Sequence, residues 1–364
     1  MAFSTVFYAL LTLYAAGAAA TEASPTCQVP SPATAICAIE PPEDLEVTPD
    51  GKHLLMSITP GLDGRHHSRL MIMALDTQHQ QDLPLRYEAE AGWGEAGCAQ
   101  PSQLPAAHGI HLSTRADGRH RLLVVNHQDR EAIEEIELVQ QGNSWEGIWR
   151  GCAASRGLAR FNDVAALPDG GWVATVMFES SSMRPPLPVE QLLDGRNTGY
   201  LMRWSTGQGM SVLPGSAAPF PNGIQVSADG HQLWFTSWTA GGIWRYDLQR
   251  QALENRIKVG YHVDNLSWSD SGWLLGAGIT DLHEFQQCFR HHQEDCALGF
   301  RVLALNPTSG EMLPVYEAGA GVLDGASVAL QVGSQLYIGA FDGDRLLYLD
   351  APAKLFQPSN NTLQ

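Results

Sequence analysis

The sequence predicts an all-β chain folded as a six-bladed β-propeller, and three observations carry that prediction. A polar turn ending in glycine, followed by a β-prone run, recurs six times. The turn glycines Gly51, Gly118, Gly170, Gly230, Gly272 and Gly333 are separated by about 40 to 67 residues, room for one four-stranded sheet per repeat. Gly 36 and Pro 21 punctuate the 364 residues densely and helical periodicity is scarce, which argues against long helices. A two-domain α/β enzyme is the architecture this reading displaces.

Taken in order, residues 1–20 (MAFSTVFYALLTLYAAGAAA) carry no charge and end in small residues before Thr21 and Ser24. This is the pattern of a cleaved export signal, or of an anchor if it is kept. We therefore expect residues 1–23 to be a signal and 24–364 a single propeller domain, secreted or periplasmic. Membrane association is expected only if the segment is retained. The hairpins then follow: TPDG-KHLLMS at 48, RADG-RHRLLVV at 115, LPDG-GWVAT at 167, SADG-HQLWFTS at 227, SDSG-WLLGAG at 269 and QVGSQLYIGA at 331. Each reads as strand, Asp-Gly-type turn, strand.

Lys+Arg of 22 against Asp+Glu of 39 gives a net charge of −17. That charge would repel nucleic acid and anionic membrane surfaces, so neither is an expected partner. A hydrophobic fraction of 44% with 17% charged residues excludes a disordered or coiled-coil chain. The expected partner is a small molecule; oligomeric state is not readable from sequence.

Cys27, Cys37, Cys98, Cys152, Cys288 and Cys296 make an even set, as expected of disulfides in an exported protein. Sequence alone leaves the pairing open. Proximity favours Cys288–Cys296 and Cys98–Cys152, with Cys27–Cys37 remaining. A zinc loop using His291 and His292 between Cys288 and Cys296 is the alternative.

Counting back eight residues from each turn glycine gives Glu43, Ile110, Asn162, Asn222, Asp264 and Gly325. The next positions are Asp44, His111, Asp163, Gly223, Asn265 and Ala326. Equivalent positions of innermost strands meet at a propeller's central tunnel. Any one Asn or Asp here has an ordinary role as a turn former, but this many in one register form an oxygen cage. Carboxylates and amides together suit calcium better than zinc or copper. Crowded carboxylates also need a cation to offset their repulsion.

At these residues the chain resembles the serum paraoxonase family of calcium-dependent lactonases and arylesterases. The match runs from Pro42-Glu43-Asp44 through His108-Gly109-Ile110, LLVVNH ending at His127, and Asn162-Asp163. It continues through Phe220-Pro221-Asn222-Gly223 and Val263-Asp264-Asn265, and ends near GASVA at 325 and QLYIGA at 335. The wider gluconolactonase and strictosidine-synthase-like propellers share the architecture but generally lack the two histidines. The resemblance implies two calcium ions. Glu43, Asn162, Asn222, Asp264 and Asn265 correspond to ligands of the catalytic ion. Asp44, Asp163 and the backbone carbonyl of Ile110 correspond to those of a deeper structural ion. His108 and His127 match a dyad that activates water, and Phe220 an apolar pocket wall. The chain lacks the C-terminal cysteine with which the family closes its propeller, and the segment between Cys288 and Cys296 looks like an insertion.

Other catalytic signatures are absent. There is no G-x-S-x-G, no H-E-x-x-H and no Walker A. Trp234, Trp238, Trp244, Trp268 and Trp273 sit in strand-like runs and are expected in the core. The segments 86–106, 180–200 and 280–299 are the expected loops of the tunnel mouth. The expected activity is calcium-dependent hydrolysis of lactones or aryl esters, with phosphotriester hydrolysis as a side activity. A sugar lactonase of gluconolactonase type and a non-catalytic, calcium-stabilised binding propeller are the competing expectations.

Overall fold

Each of the six glycine turns joins the two innermost strands of one sheet. The pairs are Pro42–Val47 with His53–Ile58, Ala107–Thr114 with His120–Asn126, and Ala159–Ala166 with Trp172–Glu179. They continue with Pro221–Val226 and Gln232–Ser237, His262–Trp268 and Leu274–Ile279, and Ala326–Val332 and Gln335–Ala340. The turn glycines have left-handed backbones, Gly170 at φ 86° and Gly230 at φ 73° among them, a conformation other residues rarely adopt. Further strands complete each sheet outward, giving the six-bladed all-β propeller that the repeats predict. This computed structural model describes residues 27–62, 64–102, 105–182, 186–291 and 298–357. The expected export signal, His292 and Cys296 lie outside them, as does the side chain of His291. Among the described residues no helix is long and apolar enough to cross a membrane.

The last blade is built from both ends of the chain. Its outermost strand, Thr34–Cys37, pairs antiparallel with Arg345–Asp350, and Ile39 N–H donates to Asp344 O at 3.2 Å. Closure thus rests on a hydrogen-bonded strand rather than on a C-terminal cysteine. The Cys27–Cys37 disulfide, with a Cα–Cα distance of 5.9 Å, braces that strand. A second bond joins Cys98 to Cys152, and Cys288 is disulfide-bonded as well. Bonded cysteines fit an extracellular or periplasmic protein.

Among the described residues six apolar clusters lie one between each neighbouring pair of blades, and two smaller ones include pocket-lining side chains. Between the second and third blades, for example, Leu123 and Val125 pack with Phe161, Trp172 and Val176, all fully buried. Each such side chain contributes roughly 1.5–3 kcal/mol. Strand alternation explains the pattern: one face of each sheet meets the preceding blade and the other the following blade, so both faces are apolar. The expected core tryptophans Trp234, Trp244 and Trp273 are buried in these interfaces, and Trp268 packs against one of them.

Two short helices lie between the second and third strands of their blades. These are α1 (Val189–Leu192) in the third blade and α2 (Leu282–His291) in the fifth. The segment 86–106 departs from its expected place. The Cys98–Cys152 bond and a bridge between Gly94 and Cys152 hold it to the outer strand Ser144–Ala154. None of its described residues lines the tunnel mouth.

Candidate functional site

Every innermost strand carries a β-bulge in its first half. Two residues oppose one across the shifts at Pro42/Asp44, Ala107/Ile110, Phe161/Val164, Pro221/Ile224, Val263/Leu266 and Ala326/Val328. A bulge breaks strict in-out alternation and re-aims side chains, so consecutive polar residues reach the axis together. Hydroxyls on the second strands satisfy the disrupted ladder. Ser57 Oγ and Thr175 Oγ1 accept from the N–H groups of Asp44 and Asp163, each at 3.1 Å.

Aligning the bulges corrects the count-back in two blades. The second hairpin is two residue pairs longer, extending to Ser113 opposite Arg121 and Thr114 opposite His120. The sixth has only a two-residue turn between Val332 and Gln335. The first-position residues are therefore His108 and Ser327 rather than Ile110 and Gly325. At the second position Gly109 and Val328 replace His111 and Ala326. His108 thus stands in the same register as Glu43, Asn162, Asn222 and Asp264.

The structure gathers these side chains at the floor of one pocket of about 250 Å3 in the tunnel mouth. Glu43, His108, Asn162, Asn222 and Asp264 all line it. Asn265 lies beside them and donates from Nδ2 to Glu43 Oε1 at 2.7 Å. Asn162 Nδ2 points at Met177 Sδ, 3.4 Å away, and the Asn222 side chain favours the charged form of Asp264. The amide oxygens of the three asparagines are left over. Asn162 Oδ1, Asn222 Oδ1, Asn265 Oδ1 and Glu43 Oε2 are all buried with no hydrogen-bond partner. Four orphaned oxygens in one ring are an expensive arrangement unless something positive meets them.

Charge points the same way. Asp44, Asp163 and Asp264 are pushed well above the usual carboxylate range, first by burial and then by one another and by Glu43. The donor set therefore fits a hard cation, which would offset that repulsion and meet the free oxygens. Among the described residues no trio of His, Cys, Asp or Glu is arranged as a metal cluster; three of the ring's five oxygen donors, Asn162, Asn222 and Asn265, are amides.

Asp44 and Asp163 are also structural ties. Asp44 Oδ1 accepts from Leu45 N–H at 2.9 Å and Oδ2 from Ile110 N–H of the next blade at 2.8 Å. Asp163 repeats this with Val164 and Ile224, both at 2.7 Å. Gly109 and Gly223 allow close approach at the neighbouring seams: a Cβ on Gly109 would lie 2.5 Å from the Cα of Asp163, and one on Gly223 2.5 Å from the Cα of Asn265. Blades one, three and five supply Asp44, Asp163 and Asn265, and the glycines come from blades two and four.

His108 and His127 form the expected pair, Nδ1 to Nε2 at 2.9 Å. Burial opposes charge on His108, but the carboxylates of Glu43, Asp264 and Asp163 outweigh it, so its pKa lies above the ordinary histidine value. His108 Nε2 is 3.6 Å from Glu43 Oε1. Behind the pair, His127 Nδ1 is 3.0 Å from Glu131 Oε2, a residue with no motif to mark it in the sequence.

The walls are apolar. Phe220 is one of them, as expected, and its left-handed backbone (φ 43°) marks local strain. Two hydrogen bonds hold it: its N–H donates to Thr198 Oγ1 at 2.9 Å, and its carbonyl accepts from Trp238 N–H at 3.1 Å. Trp238 is buried, as expected of a core residue, and also lines the pocket, with its ring 5.4 Å from Phe220 and 5.0 Å from Phe285. Helix α2 brings Phe285 and Phe289 to the mouth, and α1 with its flank brings Leu192 and Leu193. The run Leu282, Phe285, Phe289 at helical spacing was the available signal for α2. Of the three expected mouth segments, 180–200 and 280–299 contribute, and no described residue of 86–106 does.

The model of the SMP-30/Gluconolactonase/LRE-like region matches residues 71–272, more than half of the chain. A comparison with curated proteins finds no match. Among solved structures, a luciferin-regenerating enzyme is similar at 12% identity, over 87% of this chain and 94% of that one, with a TM-score of 0.53. A putative gluconolactonase is similar at 16% identity, over 89% and 94%, with a TM-score of 0.53. A gluconolactonase from Xanthomonas campestris is similar at 16% identity, over 88% and 89%, with a TM-score of 0.51. Likeness at these identities concerns the fold.

Proposed function

From its membership of the SMP-30/gluconolactonase/LRE-like family, we propose that the chain is an exported hydrolase of hydrophobic lactones or aryl esters, paraoxonase-like in its site. The observation that carries this reading is the ring of orphaned oxygens beneath an apolar pocket, with a histidine pair at its edge. Glu43, Asn162, Asn222, Asp264 and Asn265 would hold a calcium ion. Asp44, Asp163 and the Ile110 carbonyl would hold a second, deeper one. The pocket-side ion, when bound, supplies polarisation of a carbonyl oxygen.

The chain's own residues do the rest. The apolar walls bind the acyl or aryl part and exclude water. His108 Nε2 takes a proton from a water molecule as that water's oxygen bonds to the carbonyl carbon. The same proton then goes to the departing alkoxide as the acyl–oxygen bond breaks, so His108 ends as it began. Residues 1–23 are proposed as the export signal and 24–364 as one catalytic domain.

A sugar lactone is the second reading, and the family relationship favours it. The composition of the walls favours the first, since among the described residues the pocket offers a polyol, apart from the floor, only Thr59 and the indole N–H of Trp238. Hydrolysis of an aryl acetate, a long-chain lactone and a sugar lactone, each with and without EDTA, tests both. Turnover of the sugar lactone alone would overturn the hydrophobic reading. Hydrolysis of none would leave a binding propeller.

A further inference from the structure

Glu131 precedes the strand Ala132–Gln141 and is 6% exposed. Both of its oxygens are engaged. Oε1 accepts from Phe161 N–H at 2.6 Å, and Oε2 accepts from Arg160 Nη1 at 2.9 Å and lies 3.0 Å from His127 Nδ1. A backbone N–H and a guanidinium are donors only, so the carboxylate meeting them needs no proton of its own. Consistently, although burial alone would raise its pKa, His127, the Phe161 N–H and Arg160 hold it below the usual glutamate range.

An acceptor-only group opposite His127 Nδ1 requires a hydrogen on that nitrogen. In the neutral ring the lone pair is then on Nε2. Nε2 faces His108 Nδ1 at 2.9 Å, so that nitrogen must be the donor. The hydrogen of neutral His108 is thereby committed to Nδ1, and its lone pair falls on Nε2. Nε2 is the nitrogen on the Glu43 side, at the pocket floor, and Glu43 Oε1 at 3.6 Å is too far to require a hydrogen on it. With the opposite tautomers, His108 would present an N–H to the pocket and could accept nothing.

We propose that Glu131 is a positioning residue that fixes the tautomers of His127 and His108 in series, so that the basic atom of the site is His108 Nε2. Its catalytic consequence rests on the hydrolytic role proposed above for His108; the tautomer assignment itself does not. The anchors of Glu131 come from the third blade, Arg160 and Phe161, whereas both histidines belong to the second. The contact between the two blades therefore sets the direction of the hydrogen-bond chain.

The test uses the full chain labelled with 15N-histidine, in calcium-containing buffer at neutral pH, with signals assigned through His108→Gln and His127→Gln. Wild-type protein should show a protonated Nδ1 and a bare Nε2 on both rings. In Glu131→Gln the amide oxygen takes the Phe161 N–H and the NH2 faces His127, so both rings should reverse. The kcat of a chromogenic ester should then fall roughly 100-fold with KM nearly unchanged. Glu131→Asp keeps a carboxylate and should retain the wild-type tautomers and more of the turnover. A wild-type His108 protonated on Nε2 overturns the proposal, whether or not any variant folds. So does a folded Glu131→Gln chain with unchanged tautomers. If the wild-type chain hydrolyses no ester or lactone, the functional reading fails, and the spectrum still decides the tautomers.

Discussion

The carboxylate of Asp163 ties two blades together, accepting from Val164 N–H in its own strand and from Ile224 N–H in the next, each at 2.7 Å. Asp163→Ala would strand both amides, at about 1–3 kcal/mol for each buried donor. We expect it to lower the melting temperature markedly, in calcium and in EDTA alike. Asn222→Ala removes a ring oxygen without freeing a backbone amide, so it should mainly lower turnover. Differential scanning calorimetry of the two variants beside an ester assay checks the contrast. Equal melting of Asp163→Ala and wild type would mean that this tie holds nothing.

Removal of calcium should act on stability as well as rate. Asp44, Asp163 and Asp264 repel one another in a buried ring, and a ligand bound only by the folded state stabilises it by mass action. Unfolding in EDTA should begin well below that in millimolar calcium. Superimposable melting curves would remove the cation from the site.

His108→Gln keeps a polar side chain but loses the proton acceptor. Turnover of an ester or lactone should drop by at least about 100-fold, and His127→Gln should cost less. Because His108 shares the register of the ring oxygens, calcium affinity must be measured with it, so that lost metal is not mistaken for a lost base. Wild-type rates in His108→Gln between pH 6 and 9 would sink the dyad.

Phe285→Ala opens the pocket wall without touching the floor. Burial of an aromatic side chain contributes about 1.5–3 kcal/mol. The KM of a long-chain lactone should therefore rise about tenfold or more, with kcat much less affected. A small acetate ester, reaching less of the wall, should show a smaller change. Equal effects on both substrates would place the acyl group elsewhere.

Acid should expose Glu131. Its folded pKa lies below the ordinary value. Its contribution to stability is thus complete above the unfolded pKa of about 4.3 and is lost as pH falls through the folded value. Glu131→Gln should be less stable than wild type at pH 7, and the gap should narrow below about pH 4. Urea titrations across that range measure it; a constant gap contradicts the assignment.

The blade count was legible because each inner hairpin carries its own turn signal, a local property. The ring was legible only approximately, because counting from a turn presumes hairpins of equal length. The longer second hairpin and the tight sixth turn broke that presumption at His108 and Ser327. Glu131, Phe285 and the pocket-lining role of Trp238 escaped notice for another reason. Their roles depend on contacts between segments far apart in sequence: Glu131 with Arg160 across blades, Phe285 with Trp238 and Phe341 across the mouth. No spacing rule encodes such contacts.

Because Thr34–Cys37 completes the sheet that ends at Asp350, the first of the described strands must wait for the last of them before it has a partner. Until the two meet, the molecule carries two open edges and the wheel is not locked. Pairing so distant in sequence is slow, and exposed edges invite the wrong neighbour. Joining the native ends by a short linker and cutting the chain in the turn at Asp229–Gly230 would let that seam form early. Such a permutant should refold faster and aggregate less, even if its final stability were no greater.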